Sequence, residues 1–237
     1  MVNDVLAAAS ALIATGDRGA MATATGGPEA GRVVLLDSKG LSVPGDTDPP
    51  VAVRAAVPAV LDGGVPVAVD VDGALWFVEP VLPPPKLIVL GAIAAADALV
   101  PMAVAAGFAV HVIDTRDWLA DEMRFPTAVS VLCGVPLEML RRAGIDSATS
   151  IVSFLHEPRL EDPVLVESLQ SSARYVGSMG SANSTAAKRE RLLGAGVETV
   201  RLERLHAPIG LRIGSRTPQE MAVAVLAEVV AAGRSPG

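Results

Sequence analysis

The chain has 237 residues, 51% of them hydrophobic but only 3% aromatic, so its core must be built from Ala, Val, Leu and Ile. That is the composition of a buried parallel sheet flanked by helices, while a formal net charge of −7 argues against nucleic acid or an anionic membrane surface as partner. The single cysteine, Cys133, excludes an intramolecular disulfide or a thiolate metal cluster within one chain, and its place on an apolar strand predicts a buried small hydrophobe.

In chain order, a helix is predicted over 2–15. Its leading segment carries Asp4 and no Lys or Arg, which points away from an export signal and toward a cytoplasmic protein. No run approaches the roughly 18 apolar residues a membrane helix needs. Short strands follow over 21–25 and 32–37, then a loop over 42–50 rich in Pro, Gly and Asp. The segment 51–61 reads as helical, although Pro58 falls inside it. Strands over 65–71 and 74–81 flank Asp72-Gly73, a hairpin turn because both residues tolerate positive φ. Residues 1–82 are therefore expected to form a small α+β domain, and it is acidic: residues 1–80 hold ten acids and four bases.

Pro83, Pro84 and Pro85 mark a boundary, since proline cannot donate to a sheet ladder. Beyond them strands and helices alternate. Strands are predicted over 86–90, 109–114, 130–133, 150–155 and 174–176, and helices over 94–106, 137–143, 163–171, 185–193 and 219–232. This rhythm predicts an α/β domain over 86–237, Rossmann-like, with a doubly wound parallel sheet. Ligands of such a sheet bind outside the carboxyl ends of its strands.

Several residues fall on that edge. Gly91 follows the first strand of the domain and Asp114 ends the second, 23 residues on, a spacing suited to a dinucleotide and its ribose hydroxyl. Ile93 weakens the nucleotide reading, because a branched side chain stands where bare backbone should meet the pyrophosphate. Pro101 should kink the helix that follows. The loop Gly177-Ser178-Met179-Gly180-Ser181 precedes a helix expected to begin near Ser184 or Thr185. Its amides, the helix dipole and the positive charge of Lys188, Arg189 and Arg191 together describe an anion site. The sequence Thr217-Pro218-Gln219-Glu220 is a capping box. His206 and Arg216 near it are needed by no turn, which makes them candidate ligand contacts, as is His156 after the fourth strand. No G-x-S-x-G or H-E-x-x-H occurs and there are three histidines, so no hydrolase assembles.

Taken together, Asp114-Thr115-Arg116, the run His156-Glu157-Pro158-Arg159-Leu160-Glu161-Asp162, the loop 175–181 with its basic helix, and His206–Gly210 through Gly214–Glu220 resemble the Rossmann-type domain of the XdhC/CoxI family over 86–228. These proteins are accessory to xanthine dehydrogenase and related molybdenum hydroxylases. The resemblance implies a Rossmann domain beside a smaller amino-terminal domain, a tendency to dimerise, and chaperone-like work rather than enzymatic turnover. The work is holding the molybdenum cofactor (molybdopterin), aiding its sulfuration and delivering it to the apo molybdenum hydroxylase alongside other maturation factors. Some members also bind NAD(P). Cofactor contacts carried over to this chain are Gly91, Asp114, Arg116, His156, Gly177, Ser178, Gly180, Ser181, Arg189, His206 and Arg216; no metal ligands are carried over.

The chain also departs from the family. A Gly-Gly-Cys segment usual in the amino-terminal domain would fall, counting back from Gly63-Gly64, in Gly45-Asp46-Thr47-Asp48, where there is no cysteine. That domain is short for the family, and Arg212 stands where an acidic residue often follows Gly-Leu. The expected role is an accessory protein of molybdenum hydroxylase maturation. Two alternatives stay open: an NAD(P)-binding oxidoreductase, and a degenerate paralogue acting only through protein contacts.

Overall fold

The computed structural model describes residues 2–43 and 48–233 and divides the chain into two compact units, 1–83 and 84–237. The stretch that would hold the family's Gly-Gly-Cys segment lies largely outside the described residues; of it, Asp48 is described.

Unit 1 begins with α1 (Val2–Ala14), β1 (Gly19–Ala24), β2 (Val33–Asp37) and β3 (Ser42–Val43). Two short helices follow, α2 (Val51–Ala55) and α3 (Val57–Gly63), then β4 (Val67–Val71) and β5 (Ala74–Val81). The strands form one antiparallel sheet in the order β3-β2-β1-β5-β4. Asp72 and Gly73 take φ of 51° and 81°, so the hairpin turn uses the conformations its residues tolerate. The helix expected over 51–61 is interrupted at Ala56, because Pro58 opens a second helix from its first turn. One face of the sheet buries Ala20, Ala22, Val34, Leu36, Trp76 and Val78.

Unit 2 runs β6 (Lys86–Leu90), α4 (Ala94–Ala105), β7 (Ala109–Asp114), β8 (Ser130–Cys133), α5 (Pro136–Ala143), β9 (Ser150–Ser153), α6 (Pro158–Gln170), β10 (Tyr175–Ser178), α7 (Ala182–Gly194), α8 (Thr199–Leu202), β11 (Leu205–His206) and α9 (Pro218–Ala232). Its six strands are parallel, in the order β11-β10-β9-β6-β7-β8. Read from β8, this is the 3-2-1-4-5-6 order of the dinucleotide-binding fold. The central strands β9 and β10 are buried along their whole length, as strands covered on both faces must be. One face packs on α4 and α9 through Leu99, Val100, Ala222 and Val225. The other packs on α5, α6 and α7 through Leu140, Val164, Leu165 and Leu192.

The helix expected over 94–106 is α4, which runs through Pro101; the carbonyl that this proline leaves unpaired belongs to exposed Asp97. Two expectations are corrected here. The helix expected to start at Pro163 starts at Pro158. Pro163 sits inside it, and the carbonyl it leaves unpaired four residues back belongs to the water-exposed Arg159. Cys133 ends an edge strand and is exposed, so it is not the buried hydrophobe expected. Among the described residues, no helix is long and apolar enough to cross a membrane.

Candidate functional site

In a parallel sheet all the carboxyl ends lie along one edge. The strand order reverses between β6 and β9, which opens a crevice there. Gly91 stands at that point with φ 97°, and a Cβ on it would come within 3.3 Å of Phe154 at the end of β9. Conformation and close approach both require glycine.

Asp114, at the end of β7, is 1% exposed and fully engaged. One carboxylate oxygen accepts from the Arg116 amide and Nε, the other from the Ala92 amide and Arg116 Nη2, at 2.7–2.9 Å. Burial opposes its charge, but these donors outweigh burial and hold the carboxyl below its usual range. Thus Asp114 and Arg116, expected as ligand contacts, meet each other and clasp the loop after β6. Arg124 completes the clasp, donating to the Ala92 carbonyl at 2.8 Å and to both oxygens of Asp97 on α4. Nothing local in the sequence marks Arg124, which lies 32 residues from Ala92.

The glycine loop is shorter than expected. Gly177 and Ser178 belong to β10, paired with β9, and Gly177 also pairs with β11, so their amides are not a cradle. Gly177 is glycine because a Cβ there would meet the Tyr175 hydroxyl at 2.5 Å and Ile209 at 2.6 Å. The Ser178 hydroxyl donates to Glu161 Oε1, which also accepts from Ser153. Lys188 closes this buried cluster with an ion pair to Glu161 Oε2 at 2.8 Å and bonds to Ser178 and the Met179 carbonyl.

Beyond Ser178, the Met179 amide is held by the Ser153 carbonyl and the Ser181 amide by Ser184 Oγ. Ser181 and Ser184 form a reciprocal capping box, which moves the start of α7 forward to Ala182. The amides of Gly180, Ala182 and Asn183 have no acceptor in the chain among the described residues. Just behind them Thr185 Oγ1 is buried without a partner, on a residue 7% exposed, and lies 3.6 Å from where a Gly180 Cβ would stand. Free amides at a helix start and an orphaned hydroxyl beside them suit an oxyanion.

The basic side chains expected beside that loop are engaged by the chain's own carboxylates and carbonyls instead. Lys188 pairs with Glu161, Arg189 donates to the Leu202 and Leu205 carbonyls, and Arg191 pairs with Asp162. These cations hold α6, α7, α8 and β11 together. His156 lies exposed just past β9. Arg216 is exposed, and its amide donates to Glu220 in the capping box of α9. His206 ends β11 opposite Gly177, its ring 4.6 Å from that of Tyr175 and its Nδ1 3.3 Å from Glu228 Oε1. Sequence reasoning missed Tyr175 and Glu228, since 53 residues separate them. Among the described residues no group of three or more His, Cys, Asp or Glu is gathered to hold a metal ion.

The described residues also form two surface concavities, of about 390 and 520 Å³. The first is between α5 and α6, lined by Leu137, Arg141 and Asp162, and the second lies beside α1 in unit 1.

Comparison with known proteins agrees with this geometry. The family model for the XdhC Rossmann domain matches residues 87–229. The chain is 29% identical over 154 residues to a Bacillus subtilis (strain 168) protein named as a probable xanthine dehydrogenase subunit, covering 65% of this chain and 44% of that protein. It is 26% identical over 144 residues to the molybdenum cofactor insertion chaperone PaoD of Escherichia coli (strain K12), covering 61% of this chain and 39% of the other. The match thus spans less than half the length of either relative. A crystal structure of a xanthine dehydrogenase from Bacillus halodurans superposes with a TM-score of 0.76 at 21% identity, covering 96% of this chain and 63% of that one. At that identity the likeness concerns the fold.

Proposed function

Because this chain belongs to the XdhC Rossmann-domain family, we propose that it is an accessory protein in the maturation of a molybdenum hydroxylase, with the molybdenum cofactor as its cargo. The observation that carries the reading is the extent of the match, 87–229, which takes in every strand end of the crevice. The likeness to a protein named as a molybdenum cofactor insertion chaperone supports the kind of work.

The residues fit a phosphate-bearing cargo at one place, the start of α7. There the Gly180, Ala182 and Asn183 amides have no acceptor among the described residues, and the Thr185 hydroxyl nearby is buried without a partner. Backbone amides at a helix start grip an oxyanion without a cationic side chain, so the engagement of Lys188, Arg189 and Arg191 within the chain does not disarm the site. The apo-hydroxylase, further maturation factors and a second copy of this chain are the proposed partners. Immobilised protein should retain apo-hydroxylase from an extract in preference to the cofactor-loaded form; equal retention of both, or of neither, contradicts the role.

A second reading keeps NAD(P) as ligand, and the strand order with Gly91 and Asp114 at the switch point favours it. Against it stands the Asp114 carboxylate, which a ribose hydroxyl would have to win from Arg116. Calorimetry with NAD and NADP separates the readings: heat at submillimolar ligand supports the dinucleotide, and none at millimolar ligand removes it.

A further inference from the structure

A threonine inside a helix ordinarily gives its hydroxyl proton to the carbonyl three or four residues back. For Thr185 the carbonyl four back, that of Ser181, already accepts from the Thr185 amide at 2.9 Å and from Ser184 Oγ at 3.0 Å. A carbonyl oxygen has two lone pairs, and both are taken. Thr185 Oγ1 is therefore left without a partner on a residue that is 7% exposed. The serine hydroxyls of the capping box bond to each other and to their own turn, so they are not free in the same way. Gly180 leaves the Thr185 hydroxyl uncovered, since a Cβ there would stand 3.6 Å from it.

Among the described residues, the entry to α7 thus offers the Gly180, Ala182 and Asn183 amides and one buried hydroxyl as donors. None of them is charged. Lys188 is paired with Glu161, Arg191 with Asp162, and Arg189 with two carbonyls, so selection there depends on where oxygens stand more than on total charge. Phosphate esters differ in that respect. A monoester has three free oxygens and one substituent, which can leave toward water past the exposed Ala182 and Asn183. A diester has two free oxygens, and its second substituent takes the place of an oxygen that a donor would have met. The donor that suffers most is the buried one, because it has no water to fall back on.

We infer that Thr185 is the specificity-determining residue of this site, its hydroxyl donating to the third free oxygen of a phosphate monoester. The site then selects a terminal phosphate over a diester or the pyrophosphate bridge of a dinucleotide. This rests on reading the start of α7 as a cargo site, and it adds the class of phosphate the site takes. It also explains why the fold keeps a buried hydroxyl whose bonding it does not complete: the missing acceptor is an oxygen of the ligand.

The test follows the amide resonances of Gly180, Ala182 and Asn183 in the full-length, ¹⁵N-labelled chain at pH 8 and constant ionic strength. Methyl phosphate, a monoester, should shift all three, and dimethyl phosphate should not. Methyl sulfate separates oxygen count from charge: it carries the single charge of dimethyl phosphate but has three free oxygens, and it should act at lower concentration than the diester. Thr185→Val removes the hydroxyl and keeps the shape. It should need about tenfold more methyl phosphate, the worth of one hydrogen bond to a charged group, while Thr185→Ser keeps the wild-type response. Thr185→Val should also raise the urea midpoint of the ligand-free protein, because an unpaired buried hydroxyl is gone; a hydroxyl with a structural bond would give the opposite sign. Dimethyl phosphate acting as well as methyl sulfate, an unchanged response in Thr185→Val, or a lowered midpoint in that variant overturns the inference. The expected shifts without retention of apo-hydroxylase would sink the maturation role and leave the Thr185 assignment standing; retention without any of these shifts would do the reverse.

Discussion

Lys188 and Glu161 form the most consequential pair in unit 2, with side chains 5% and 2% exposed. Removing one partner strands a buried charge, so Lys188→Met is expected to cost about 3–5 kcal/mol in urea denaturation. Adding Glu161→Gln should restore more than half of it, because a neutral amide still accepts from Ser153 and Ser178; a single-variant loss below about 1 kcal/mol would contradict the buried pair. Asp114 makes a pH prediction. Its carboxyl is held low in the fold, so the stability it contributes is present above the unfolded value of about 3.9 and is lost as pH falls through the lower folded value. The urea midpoint should therefore drop on acidification below about pH 4, and Asp114→Asn should flatten that limb; an unchanged slope would count against the clasp. At this scale the sequence was only partly legible. Asp114, Arg116 and His206 stand where expected, but Arg124, Tyr175 and Glu228 reach their partners across 27–53 residues, a separation that no local pattern encodes. The basic run 188–191 was misread because charge alone does not say whether a cation faces water or an internal carbonyl.

At the scale of elements, the start of α9 rests on Thr217 and Glu220, which exchange bonds of 3.1 Å in each direction. Thr217→Ala should lower stability by about 1 kcal/mol, read from the denaturation midpoint, and a neutral result would mean the cap is idle. That cap could be read from the sequence because its residues are adjacent. So could the Asp72-Gly73 turn and the apolar runs of β6 and β7. The capping box at Ser181 was not, since Ser184 stands where Glu or Gln usually serves. Its recognition moves α7 forward and confines the free amides to Gly180, Ala182 and Asn183. Pro163 misleads for a related reason: it is tolerated inside α6, where the lost bond belongs to a carbonyl near water.

Over the whole molecule, each unit has its own core, the first on Trp76, Val78 and Leu36 and the second on both faces of the six-stranded sheet. A fragment spanning 84–237 is therefore expected to unfold cooperatively alone; a gradual, non-cooperative transition would show that the second core is incomplete. The alternation of strands and helices made the parallel sheet legible, since covered strands read as unbroken apolar runs. What the crevice holds depends on groups brought together by folding. The most direct measurement is molybdopterin fluorescence released on denaturing protein purified natively from cells that make the cofactor. The account predicts release from the wild type and its loss in Gly180→Val, where a Cβ would stand 2.7 Å from Ser184 Oγ and disturb the start of α7, with the far-ultraviolet circular dichroism of both proteins alike. No fluorescence from the wild type, or equal release from the variant, would contradict it.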